Sequence, residues 1–151
     1  MKKILHPTDF SEGAERARAE AVRLAKSLGA ELLLLHVAVE APLFREGPLS
    51  MPEVARVYAA QRKWASETLA ARAATTRESG VSAAEWRLVV GEPVEAIVKV
   101  ATDGRFDLIV MATHGRGPLE RFFLGSVADR VIRLAPCPVL TVRQTPEAGG
   151  A

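Results

Sequence analysis

The chain holds 151 residues, the length of one domain, with 48% hydrophobic and 25% charged residues, a composition that fits a folded globular protein and argues against disorder. Twenty Lys and Arg stand against 18 Asp and Glu, for a net charge of +2. No basic run appears, so a nucleic-acid partner is not expected.

The first short apolar run, Lys3–His6, predicts a strand. Ser11 then suits an N-cap, and Ala14, Ala17, Ala21, Leu24 and Leu28 recur at helical spacing up to Gly29, a good helix stop. Glu31–Val37 predicts a second strand, whose four consecutive leucines lack polar alternation and so mark a strand covered on both faces. Residues Ala38–Met51, with Pro42, Gly47 and Pro48, read as a loop over the sheet. Pro52 to about Ser79 reads as a long helix with Val54, Tyr58, Ala65 and Leu69 on its apolar stripe. Trp86–Val90 predicts the third strand. Pro93 opens a third helix through Val94, Ile97, Val98 and Ala101, ending near Gly104. Asp107–Ala112 predicts the fourth strand. Ser126 is read as the cap of a fourth helix carrying Val127, Val131 and Leu134, stopped ahead of Pro136. Val139–Val142 predicts the last strand.

Alternation of this kind, with right-handed crossovers, predicts a three-layer α/β sandwich: a doubly wound five-stranded parallel sheet, order 3-2-1-4-5, with four helices. Residues 1–143 form the expected single domain, and 144–151 a small polar tail that frays. No apolar run approaches the roughly 20 residues that span a membrane. Lys2 and Lys3 lead straight into Ile4-Leu5-His6 and Pro7, which does not read as a secretory signal. One cysteine, Cys137, excludes an internal disulfide, so a cytoplasmic setting is expected.

In such sheets ligands bind beyond the carboxyl ends of the strands where strand order reverses, here between the first and fourth strands. The first strand ends in His6-Pro7-Thr8-Asp9. The fourth runs through Met111-Ala112-Thr113-His114-Gly115-Arg116-Gly117-Pro118, and Gly125-Ser126 opens the next helix. Gly115 and Gly117 let backbone N–H groups turn toward a phosphate, and the helix start adds unpaired N–H groups and a dipole. Arg116 and Arg121 can supply charge. The alternative is a plain β-to-α connection with an ordinary serine cap. Asp9, at the end of the first strand, is either a ligand contact or an extra cap for the helix near Ser11.

The stretch Val110–Arg116, followed by Leu119-Glu120-Arg121-Phe122-Phe123-Leu124-Gly125-Ser126-Val127-Ala128, resembles the signature of the universal stress protein A-type family. Gly115 and Gly125 keep that pattern's nine-residue gap and Ser126 completes it. Pro7-Thr8-Asp9-Phe10-Ser11, Leu35-His36-Val37 and Pro136-Cys137-Pro138-Val139-Leu140 are similar to the family's first turn, second strand and approach to the last strand. Two positions depart from it. Ala112 stands where the pattern's first glycine is expected, adding a methyl that could crowd a ribose or phosphate. Pro118 follows Gly117 where such loops often carry glycine, removing an N–H donor.

The resemblance implies a cytoplasmic stress-response protein that binds ATP, with or without Mg²⁺, or a related adenine nucleotide. Carried over, Asp9 would accept hydrogen bonds from adenine or ribose, with Pro7 and Thr8 shaping that wall. Val37 would contact the base, and Met111 and Ala112 would lie along the nucleoside. Gly115, Arg116, Gly117, Gly125, Ser126 and Val127 would surround the phosphates. The resemblance also allows a homodimer through the edge strand Val139–Val142, which an exposed ladder favours physically. Two alternatives stand beside the sensor or regulator reading. A slow ATPase would lack a Walker-type lysine and an obvious water-orienting residue; a nucleotide-free protein would act by dimerisation and partner contact.

No catalytic residue or metal site is expected. His6, His36 and His114 lack acidic companions at ligand spacing. His36 reads as a hydrogen-bonded core residue, and His114 as a phosphate contact or a surface-loop residue. Cys137 reads as packing, and Trp64, Trp86 and Tyr58 as core or interface anchors.

Overall fold

The structure, a computed structural model, describes residues 1–40, 51–114 and 124–144. Strands β1 (Lys3–Pro7), β2 (Glu31–Ala38), β3 (Ala84–Val90), β4 (Leu108–Ala112) and β5 (Val139–Val142) alternate with helices α1 (Glu12–Leu28), α2 (Met51–Glu78), α3 (Pro93–Asp103) and α4 (Ser126–Leu134). All pairings are parallel and the order is β3-β2-β1-β4-β5, the doubly wound sheet that the sequence predicts.

The leucine run of β2 explains the layering. Leu32 and Leu34 join Ile4 in a cluster with Ala21, Ala25, Leu69 and Ala73 from α1 and α2. Leu33 and Leu35 join Leu5 in a second cluster with Val94, Ile97, Ala101 and Val131 from α3 and α4. Successive strand residues point to opposite faces, so an unbroken apolar run feeds two cores at once. Burying each such leucine stabilises the fold by about 1.5–3 kcal/mol.

Helix α1 begins as its sequence requires: the Ser11 hydroxyl accepts the Ala14 N–H, and Gly29 closes the helix in the left-handed conformation at φ 61°. Its buried stripe is Ala14, Ala17, Ala21 and Ala25, while Leu28 is exposed, so the expected stripe ends one turn early. Helix α4 departs from expectation at both ends. Leu134 is exposed, and Ser126 is the first helical residue rather than the cap. The cap position belongs to Gly125, with no side-chain cap bond. The reason is a close approach: the Gly125 N–H donates to the Thr113 carbonyl at 2.7 Å. A Cβ on Gly125 would lie 2.9 Å from that same oxygen. Trp64 and Trp86 are more exposed than core anchors would be, and Tyr58 is half-buried.

The sheet opens at one point. Strand β1 pairs with β2 over five positions, from Lys3↔Glu31 to Pro7↔Leu35, but with β4 only at Ile4↔Leu108 and Leu5↔Ile109. Beyond Leu5 the two strands separate. There the His6 ring, fully buried, donates from Nδ1 to the Val110 carbonyl at 2.8 Å. This is the reversal point of the strand order, and it leaves a gap above β1 and β4. The expected phosphate-loop residues Gly115, Arg116, Gly117, Pro118 and Arg121 lie outside the described residues, as do the loop 41–50 and the tail 145–151.

Candidate functional site

Above that gap lies a cavity of ≈ 570 Å³, within the range of small-molecule sites. Pro7, Thr8, Asp9, Val37, Met111, Ala112, Gly125, Ser126 and Val127, the nine expected site residues that lie within the described residues, all line it. Ala14, Leu35, His36, Val39, Pro93, Ile97, Thr113, His114 and Ala128 complete the wall. Pro93 and Ile97 escape a sequence reading, because they belong to the helix after an edge strand, and only the sheet order brings that helix over β2. His36 carries a signal in its place one residue before Val37 at the end of β2.

The end near β2 is built from side chains. Thr8 continues the ladder past Pro7 by donating its N–H to the Leu35 carbonyl at 2.8 Å. The Thr8 hydroxyl accepts the Phe10 N–H at 3.0 Å, and Asp9 Oδ1 accepts the Ser11 N–H at 3.0 Å. Asp9 thus borders the cavity and also ties down the start of α1, the capping role weighed for it. These bonds hold Phe10 at φ 64°, a left-handed conformation that a bulky side chain seldom adopts. The Phe10 ring packs on His36 at 4.6 Å between centroids and on Trp64 at 5.0 Å edge-on, with the Arg72 guanidinium 5.2 Å from its centroid. His36 is half-buried, and its Nδ1–H donates to the Thr8 carbonyl at 2.8 Å.

The end near β4 is built from main chain. Gly125 is pinned to Thr113, and the first backbone bond back to that cap is from Asp129 N–H to the Gly125 carbonyl. The N–H groups of Ser126, Val127 and Ala128 therefore have no helical acceptor, and they meet the positive end of the α4 dipole. Because Ser126 is not spent as a cap, its hydroxyl stands at the same rim. His114 Nδ1 lies 2.9 Å from the Thr113 hydroxyl, and its buried Nε2 has no partner among the described residues. Ala112 has no positive φ, so its backbone does not demand glycine.

Electrostatics separate structural groups from the site. Burial lowers the His6 pKa from 6.5 to about 4, only partly opposed by its bond to Val110. The neutral ring holds the strands without charge. Burial and, secondarily, the Asp107 carboxylate push the Cys137 thiol up, away from reactivity. Asp9 is the single carboxylate among the described lining residues. No group of three or more His, Cys, Asp or Glu among the described residues could hold a metal ion. A second cavity of ≈ 280 Å³ adjoins the first and shares Asp9, His36 and Val39 with it.

A doubly wound α/β domain with an apolar-walled crevice at its switch point and a helix N-terminus on the rim has the architecture in which open α/β sheets place small-molecule sites. The particular family follows from comparison. Residues 1–143 match the model of the universal stress protein family, and the chain belongs to that family. It is 37% identical over 143 residues to a universal stress protein of Thermus aquaticus, covering 95% of this chain and 99% of that one. The fold superposes on universal stress protein UspA from Lactobacillus plantarum with a TM-score of 0.84 at 26% identity, covering 94% of this chain and 97% of the other. It also resembles the universal stress protein from Archaeoglobus fulgidus solved in complex with dAMP, with a TM-score of 0.62 at 27% identity, covering 95% and 98%. No helix among the described residues is long and apolar enough to cross a membrane.

Proposed function

We propose that this protein binds an adenine nucleotide in the crevice above β1 and β4, with ATP as its working ligand, and that it serves as a stress sensor or regulator rather than a turnover enzyme. The observation that carries this reading is the single ≈ 570 Å³ cavity that gathers the nine expected contact residues, with the open start of α4 at one end. The dAMP complex of the Archaeoglobus relative supports the base class.

The assignments follow the chemistry of each end. Val37, Met111 and Ala112 offer apolar surface to a nucleoside. Asp9 accepts from base or ribose, with Pro7 and Thr8 behind it. The N–H groups of Ser126, Val127 and Ala128 and the Ser126 hydroxyl face the phosphates, and Gly115, Arg116 and Gly117, which lie outside the described residues, are assigned to the phosphates by their place in the sequence motif. Mg²⁺, where bound, would be held chiefly by the phosphates and water, since the one carboxylate among the described lining residues, Asp9, stands at the nucleoside end. A single cysteine fits a cytoplasmic setting. The β5 edge, with Leu140 exposed, suits pairing with a second copy.

Calorimetric titration with ATP and Mg²⁺ tests the proposal. Saturable binding at one site per chain is expected. The absence of heat at millimolar nucleotide would refute it.

A further inference from the structure

We infer that β3 is an interaction surface for a second copy of this chain: two β3 edges pair antiparallel about a two-fold axis at Trp86. The surface lies on the opposite side of the sheet from β5 and does not depend on the nucleotide reading.

The backbone leaves this edge open. Strand β3 pairs with β2 at every position from Ala84 to Val90, with no proline in the run. The bonds at the two ends of that ladder fix which groups it uses. The Leu32 N–H donates to the Ala83 carbonyl, and the Gly91 N–H donates to the Ala38 carbonyl. Odd-numbered residues therefore bond inward to β2, while Ala84, Trp86, Leu88 and Val90 turn their N–H and C=O groups outward. Arg77 donates to the outward Ala84 carbonyl, whose second lone pair can accept another bond. The outward groups of Trp86, Leu88 and Val90 have no partner among the described residues. A row of this kind is a template for another strand.

Side-chain charge selects the occupant. Glu85 and Arg87 are exposed, have no ion-pair partner among the described residues, and stand beside Leu33 and Leu35 of β2. Among two-fold antiparallel registers, one satisfies them. Centred on Trp86, it sets Glu85 of each copy against Arg87 of the other. Centring on Glu85 or on Arg87 brings like charges face to face, and centring on Ala84 or Leu88 sets both charges against uncharged residues. The Trp86 register also matches the outward backbone groups, since each Trp86 meets its own copy as a hydrogen-bonded pair. On the same face it places small Ala84 against large Leu88. Trp86 is 39% exposed and Val90 50%, so pairing also removes apolar surface from water.

Sedimentation equilibrium of the full chain over a concentration series tests the interface, with the charges reversed singly and together. Glu85→Arg or Arg87→Glu turns both cross-strand pairs repulsive and should weaken association roughly tenfold. Glu85→Arg combined with Arg87→Glu rebuilds the pairs in reverse and should return association to within about threefold of wild type. Both positions are exposed, so the fold is kept. Disulfide trapping supplies a second readout in a Cys137→Ser background. Trp86→Cys should cross-link two chains on mild oxidation, because a residue on the axis faces its own copy at about 5.5 Å between Cα atoms, within disulfide reach. Val57→Cys, exposed on α2, should not. A wild type that stays monomeric at millimolar protein overturns the inference. Association indifferent to the single reversals, as pairing through β5 alone would give, overturns it as well. So does a double reversal that fails to restore association, or equal cross-linking at positions 86 and 57.

Discussion

The two ends of the crevice are made of different material. At the β2 end, the polar groups are side chains, namely Thr8, Asp9 and His36, locked by hydrogen bonds to the backbone around them. At the β4 end they are main-chain N–H groups of a helix start, held by one glycine against one carbonyl. Side chains carry distinct donor and acceptor patterns and can tell one base from another. Main-chain N–H groups are alike and report only negative charge. The division fits a ligand with an informative ring at one end and a uniform anion at the other.

Strand β1 joins the ends through His6, and the largest expected effect lies there. The His6 pKa falls from 6.5 to about 4 on folding, so between those values the unfolded chain binds more protons than the native one. Stability is therefore fully held above pH 6.5 and declines as pH drops toward 4, by about 3 kcal/mol in all. Urea denaturation across that window should show the slope in the wild type and a reduced one in His6→Leu. Equal slopes in both proteins would remove His6 as the cause.

The β4 end should fail through geometry. Gly125→Ala places a methyl 2.9 Å from the Thr113 oxygen. The loop or the helix start must shift, at about 2 kcal/mol of stability, with nucleotide affinity falling about tenfold. Denaturation and calorimetry on the same variant check both. A fully stable variant with native affinity would mean that the pinning does not matter.

The β2 end should fail more gently. Asp9→Ala frees the Ser11 N–H that Asp9 Oδ1 accepts, for about 1 kcal/mol, and it removes an acceptor from the cavity. A loss of affinity for adenosine as well as for ATP would locate that acceptor at the nucleoside. A loss confined to ATP would locate it near the phosphates.

Ser126→Ala sharpens the contrast with the smallest change. Because Gly125 holds the cap position, stability should stay within about 0.5 kcal/mol, while affinity for ATP drops several-fold and affinity for adenosine does not. A stability loss near 1 kcal/mol would return Ser126 to the role of helix cap.

Much of this arrangement is legible in the sequence. The leucine run of β2, the Pro93 and Pro136 boundaries, and the Ser11 and Gly29 pair of α1 follow from local chemistry, and they suffice for the elements and layers, with crossover handedness supplying the strand order. Asp9 and Gly125-Ser126 stand out because they sit at strand and helix ends. What local reading misses depends on long-range geometry. Gly125 displaces Ser126 from the cap because of an oxygen twelve residues earlier in the chain, at Thr113. Ile97 reaches the cavity only because β3 lies beside β2. Trp64 reads from the sequence as a core or interface anchor, and the fold leaves it out of the core, exposed and edge-on to Phe10, whose left-handed backbone no propensity predicts.

Amide chemical-shift mapping on titration with AMP tests the two-ended crevice most directly. The account predicts perturbations at Thr8–Asp9 and His36–Val37 together with Thr113–His114 and Ser126–Ala128, saturating along one binding curve. Shifts confined to one end, or placed on the outer faces of α1 and α2, would contradict it.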